Sequence, residues 1–116
     1  MAKAAADAIF AKNGTDIVLL DVEDSFLFSD VFVIATGTSR PHAQALAEHV
    51  EERLKQDHGI KPLRVEGESE GEWILVDLGD IIVHVFQGAP REFYSLERLW
   101  GDADRIKWEE PAVTDG

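Results

Sequence analysis

The chain has 116 residues, 45% of them hydrophobic, which fits one globular domain with a single core and argues against disorder or two domains. Its 23 acidic against 11 basic side chains give a formal net charge of −12, which argues against a basic nucleic-acid groove and for a basic partner. With no cysteine there is no disulfide frame or thiolate zinc site; with no apolar run near the roughly 20 residues of a membrane span, and no signal-like start, a cytoplasmic protein is expected.

Residues 2–12 (AKAAADAIFAK) are alanine-rich and predict a helix, stopped by Asn13-Gly14. A short aliphatic strand follows at 16–22 (DIVLLDV), then a polar-aromatic connector at 23–30. The run VFVIATG (31–37) is apolar enough for a strand buried on both faces. Ser39 is placed to cap a helix with Pro41 just inside it. In that helix Ala43, Leu46, Ala47, Val50 and Leu54 share the core face, Glu48, Glu51, Glu52 and Lys55 point outward, and Gly59 ends it. PLRVEG (62–67) and the two halves of GEWILVDLGDIIVHVF (71–86) predict three more strands. A last helix begins near Pro90, with Phe93, Leu96, Leu99 and Trp100 as its apolar stripe. This order predicts an α+β fold, a mixed sheet of five strands with helices mainly on one face and a right-handed crossover over 31–66. One domain spans 1–104, followed by an acidic, loosely held tail at 105–116.

The run at 71–86 carries the most information. Gly79-Asp80 is a two-residue turn with glycine first, which suits type II′ and fixes the register of the flanking strands. Residue 77 then faces 82, 75 faces 84 and 73 faces 86. One side of the hairpin is wholly aliphatic: Ile74, Val76, Leu78, Ile81, Val83 and Val85. The other is mixed, with Trp73 opposite Phe86, Leu75 opposite His84 and Asp77 opposite Ile82. If helices cover only the aliphatic side, the mixed side is an open docking surface with an aromatic anchor. Burial under a further element and use as a homodimer seam are the alternatives.

Catalytic chemistry finds little support. ATGTS (35–39) ends a strand just before a helix, where free N–H groups attract anions, so a small nucleotide-binding or nucleotidyltransferase-like enzyme is the alternative function. The turn lacks the glycines and lysine of a phosphate-binding loop, and capping alone accounts for Ser39. His42 and His49 lie two turns apart, too far for an i,i+4 ligand pair, and His58 sits near the helix end; no metal and no cofactor are expected. Asp77 on a strand and Asp80 in a turn form no acid–base pair, and no serine has an evident base.

Taken together, DIVLLDV, SDVFVIATGTSRPHAQALAEHVEE, KPLRVEG, GEWILVDLGDIIVHVFQ and REFYSLERLW closely resemble the ribosomal silencing factor family, also called Iojap-related or RsfS, across residues 14–104. The most specific stretches are ATGTS with His42 three residues on, RVEG, W-x-x-x-D-x-G-D-x-x-V-H, and F-Y-x-L-E-x-L-W. The resemblance implies a nucleotidyltransferase-like fold without transferase activity. It implies binding to the large ribosomal subunit through its ribosomal protein fourteen, a block on joining of the small subunit, and a homodimer when free. It carries the docking role to Trp73, with Asp77 and His84 as matching neighbours. Leu75, Ile82 and Phe86 join by geometry alone, and Asp80 matches the motif although its turn role accounts for it. The connector Gly88-Ala89-Pro90 departs from the charged or polar residues usual there, and the tail after Asp104, with Trp108, lies outside the shared pattern.

Overall fold

The computed structural model describes residues 2–22, 30–88 and 104–109. Helix α1 spans Ala2–Ala11 and strand β1 Thr15–Asp21. Strand β2 (Val31–Gly37) leads into helix α2 (Arg40–His58), then β3 (Arg64–Glu66), β4 (Trp73–Asp77), β5 (Ile81–Gln87) and β6 (Asp104–Ile106). The expected helix from Pro90 lies outside the described residues. All six strands join one sheet in the order β3-β4-β5-β2-β1-β6. Only β2 and β5 run parallel, over the seven pairs from Val31–Ile81 to Gly37–Gln87; every other pairing is antiparallel. The mixed α+β class is as the sequence predicts.

Local chemistry sets the ends of the elements. Asn13 adopts the left-handed conformation that stops α1, and the Gly14 N–H returns to the Ile9 carbonyl at 2.9 Å. Ser39 caps α2 by accepting the His42 N–H at 3.2 Å. At the far end Gly59 is left-handed (φ 66°), its N–H bonds the Lys55 carbonyl, and Ile60 bonds that of Leu54. Helix α2 carries the chain from the sheet centre to its β3 edge, the crossover that two parallel strands require.

Both helices pack on one side of the sheet. Ile9, Leu46, Val50 and Leu54 meet Leu19, Val33, Ile74, Val76, Val83 and Val85 there, each no more than 1% exposed. All six aliphatic residues assigned to the hairpin's core side lie in this cluster. A second cluster occupies the opposite side, with Leu20, Val22, Phe32, Ile34, Ile82 and Phe86.

Among the described residues the sheet has six strands rather than five. The extra one, β6, pairs Asp104, Arg105 and Ile106 with Asp21, Leu20 and Leu19. Three residues with charges beside a single isoleucine carry no alternation, so only the partner strand reveals them. The expected boundary at residue 104 falls inside this strand. Beyond it the Trp108 indole donates to Asp7 Oδ1 at 2.9 Å and meets Phe10 edge-on at 6.0 Å, fastening residues 104–109 to α1.

Gly67 and Gly59 share a left-handed backbone but differ in surroundings. A Cβ on Gly67 would stand 2.1 Å from the Trp73 carbonyl oxygen, whereas one on Gly59 would meet nothing within 4 Å. Gly59→Ala should therefore cost about 1 kcal/mol from backbone conformation alone. Gly67→Ala should cost about 3 kcal/mol or more, because the β3–β4 connection must shift. Urea unfolding of the two variants checks the order.

Candidate functional site

The mixed side of the hairpin has the predicted register: Trp73 opposite Phe86, Leu75 opposite His84, Asp77 opposite Ile82. Pairing with β2 then sets Phe32 beside Ile82, Ile34 beside His84 and Thr36 beside Phe86. At the edge, Glu66 and Arg64 of β3 stand beside Leu75 and Asp77.

Exposure divides the seven sequence-predicted residues into two rows. Ile82, His84 and Phe86 on β5 are buried, at 3%, 4% and 0% exposure. Trp73, Leu75 and Asp77 on β4 are partly exposed, and Asp80 in the turn is exposed. The accessible part of this side is thus the β4 row with the turn, and the buried β5 row lies next to it. The sequence did not disclose this division: alternation assigns a side chain to a face, whereas burial depends on what packs over that face.

The rows are joined by aromatic contacts. Trp73 stacks on Phe86 with ring centroids 5.1 Å apart at 24°. Its indole Nε1–H donates to His84 Nδ1 at 3.1 Å, a diagonal reach across the strand pair. An indole nitrogen only donates, so Nδ1 accepts and the imidazole proton resides on Nε2. That Nε2 is buried without a hydrogen-bond partner among the described residues, and Phe32 meets the ring edge-on at 4.6 Å. Burial holds the His84 pKa down, from 6.5 to about 4, so the ring is neutral at pH 7.

Asp77 has a local duty that its place on a strand face concealed. Its Oδ1 accepts the Gly79 N–H at 3.0 Å, bracing the turn, while Oδ2 faces Arg64 Nε at 3.4 Å. The spacing Asp-Leu-Gly is the signal that could have shown it. Arg64 also reaches Glu66 at 3.4 Å, a surface pair of little energetic weight.

Donors at the ATGTS turn and the helix start have partners within the chain. The Thr38 N–H donates to His42 Nδ1 at 2.8 Å, and the proton left on His42 Nε2 goes to the Lys12 carbonyl at 2.7 Å. His42 thereby ties the end of α1 to the start of α2, a link between positions 30 apart that helix periodicity does not reveal. With His42 N–H on Ser39 Oγ, these donors at the helix start are in use without an anion. Among the described residues no group of three or more His, Asp or Glu side chains could hold a metal ion, and no helix is long and apolar enough to cross a membrane.

A pH dependence follows from His84. Its folded pKa lies below its unfolded value, so its contribution is full above pH 6.5 and is lost as pH falls towards 4, by up to about 3 kcal/mol. Replacing His84 by leucine should remove that part of the acid-side slope. Urea unfolding of both proteins at pH 7 and pH 4.5 measures it; an unchanged difference between the two pH values would contradict a buried neutral imidazole.

Comparison with known proteins places this chain in a family. The family model described as "Ribosomal silencing factor during starvation" matches residues 1–115. Ribosomal silencing factor RsfS of Bacillus subtilis (strain 168) is 44% identical over 101 residues, spanning 87% of this chain and 85% of that protein. A crystal structure of a Chromobacterium violaceum protein superposes with a TM-score of 0.82 at 36% identity, covering 98% of this chain and 89% of that one. A mouse protein named "Mitochondrial assembly of ribosomal large subunit protein 1" is 31% identical over 77% of this chain, a match that takes in 40% of the mouse protein. The match runs nearly end to end in sequence and again in fold, and the chain belongs to the ribosomal silencing factor family.

Proposed function

We propose that this protein is a non-catalytic, cytoplasmic repressor of translation. It docks on the large ribosomal subunit through ribosomal protein fourteen, and its bulk keeps the small subunit from joining; free copies pair as a homodimer. The observation that carries this reading is the partly exposed row Trp73-Leu75-Asp77 bordered by an acidic rim. Glu66 ends β3, and the connection from there to β4 holds Glu68, Glu70 and Glu72 and delivers the chain directly into Trp73. On α2, Glu51 is pushed to a higher pKa first by burial and then by Glu68 and Glu48.

The physics of such a contact is simple. Long-range attraction draws the acidic rim to a basic ribosomal protein, and the Trp73 indole then supplies short-range affinity as it leaves water. Leu75 and Asp77 extend the contact along β4, Asp80 extends it at the turn, and Ile82, His84 and Phe86 support it from beneath. Steric exclusion asks for nothing more than a bound domain in the way.

Co-sedimentation with purified large subunits tests the reading, with circular dichroism as the folding control. Wild type should sediment with the subunit, and Trp73→Ala should fold yet lose about 2 kcal/mol or more of binding, roughly thirtyfold. Binding should weaken as salt rises, since the rim is exposed. Wild type left in the supernatant at micromolar concentration and low salt would overturn the proposal; an unfolded Trp73→Ala would make this residue core rather than contact.

A further inference from the structure

We infer that His84 is a positioning residue for the docking surface: from beneath the patch its Nδ1 fixes the orientation in which Trp73 meets the partner. The inference rests on the docking role proposed for Trp73 and adds what sets that role up.

Three observations carry it. His84 is 4% exposed, so it cannot itself form the outer contact. Its hydrogen bond to Trp73 Nε1 at 3.1 Å is directional, whereas the Phe86 stack, with centroids 5.1 Å apart, still lets the indole slide and rotate in its plane. Stack and bond together define both the plane of the indole and its rotation within that plane. The third observation is the cost. Nε2 carries the remaining ring proton into a buried position without a hydrogen-bond partner among the described residues, which a leucine or phenylalanine would avoid. Its floor neighbours Ile34, Ile82 and Phe86 are all apolar and 3% exposed or less, so packing alone gives no reason for an imidazole. A polar group kept in an apolar floor at a cost to folding is the mark of a device that serves binding.

A stiff anchor binds more tightly than a mobile one, because the entropy of fixing it is already lost in the free protein. His84→Leu should therefore weaken binding to purified large subunits about three- to tenfold, with a urea midpoint unchanged or raised. Restoring an acceptor with His84→Asn, whose Oδ1 can stand where Nδ1 stood, should recover most of the loss. The pair should also be coupled: adding His84→Leu to Trp73→Phe should cost nothing beyond Trp73→Phe alone. In 15N spectra of the free protein, exchange of the Trp73 indole N–H should speed up in His84→Leu and not in His84→Asn.

His84→Leu binding like wild type would overturn the inference, as would a binding loss that tracks a fall in stability or adds in full to that of Trp73→Phe. Should His84→Leu not fold, His84→Phe makes the same comparison. If wild type itself does not bind large subunits, the docking proposal falls and this role falls with it. If wild type binds and only the His84 comparisons fail, the docking proposal stands without it.

Discussion

The parallel pairing of β2 with β5 is the constraint on which everything else depends. Seven consecutive residue pairs lock Val31–Gly37 against Ile81–Gln87 at the middle of the sheet. Nearly every side chain on both strands is buried, whichever side of the sheet it points to. Parallel neighbours need a long connection between them, and the segment from residue 38 to 80 supplies α2, β3 and β4 on the way. The strand that presents Trp73 is thus held by β5, which is held in turn by β2. The edges left over, β3 and β6, are three residues each, too short to invite another sheet to pair.

That central pair also explains why one face can serve two purposes. Where β5 crosses the middle, its outward row is sealed; where β4 lies one strand nearer the edge, the row is only half covered. The β4 row so placed has a buried neighbour row on β5 and remains accessible itself. It differs from a loop-borne site in that its residues sit on a strand: Trp73 pairs with Phe86 of β5, and Leu75 and Asp77 are paired on both sides, with β5 and with β3. The acidic connection beside it is itself tied down: the Gly71 N–H bonds the Gly67 carbonyl at 2.9 Å, and the Gln44 and Gln87 side-chain amides donate to the Glu68 and Gly71 carbonyls.

Much of this was legible in the sequence. The hairpin register followed from Gly79-Asp80 alone, since a two-residue turn leaves no freedom in which residues face each other. The ends of α2 were legible for a similar reason: Ser39 and Gly59 act on backbone groups within a turn of themselves. What could not be read was long-range. Burial of His84 depends on strands from three parts of the chain, and its bond to Trp73 is a diagonal that alternation does not single out. His42 looked like one more helix histidine, because its partner carbonyl lies on another helix. Residues 104–106 lacked any pattern of their own, and their strand character exists only through β1.

The fastening of Trp108 to Asp7 closes a loop of almost the whole chain, its ends 101 positions apart. A chain made from its N-terminus has α1 and β1 available early, but β1 keeps an unpaired edge until residues 104–106 have been synthesised. β6 is thus an addition at the rim: it covers an edge of β1 and takes no part in the central pair, so the sheet's middle is specified without it.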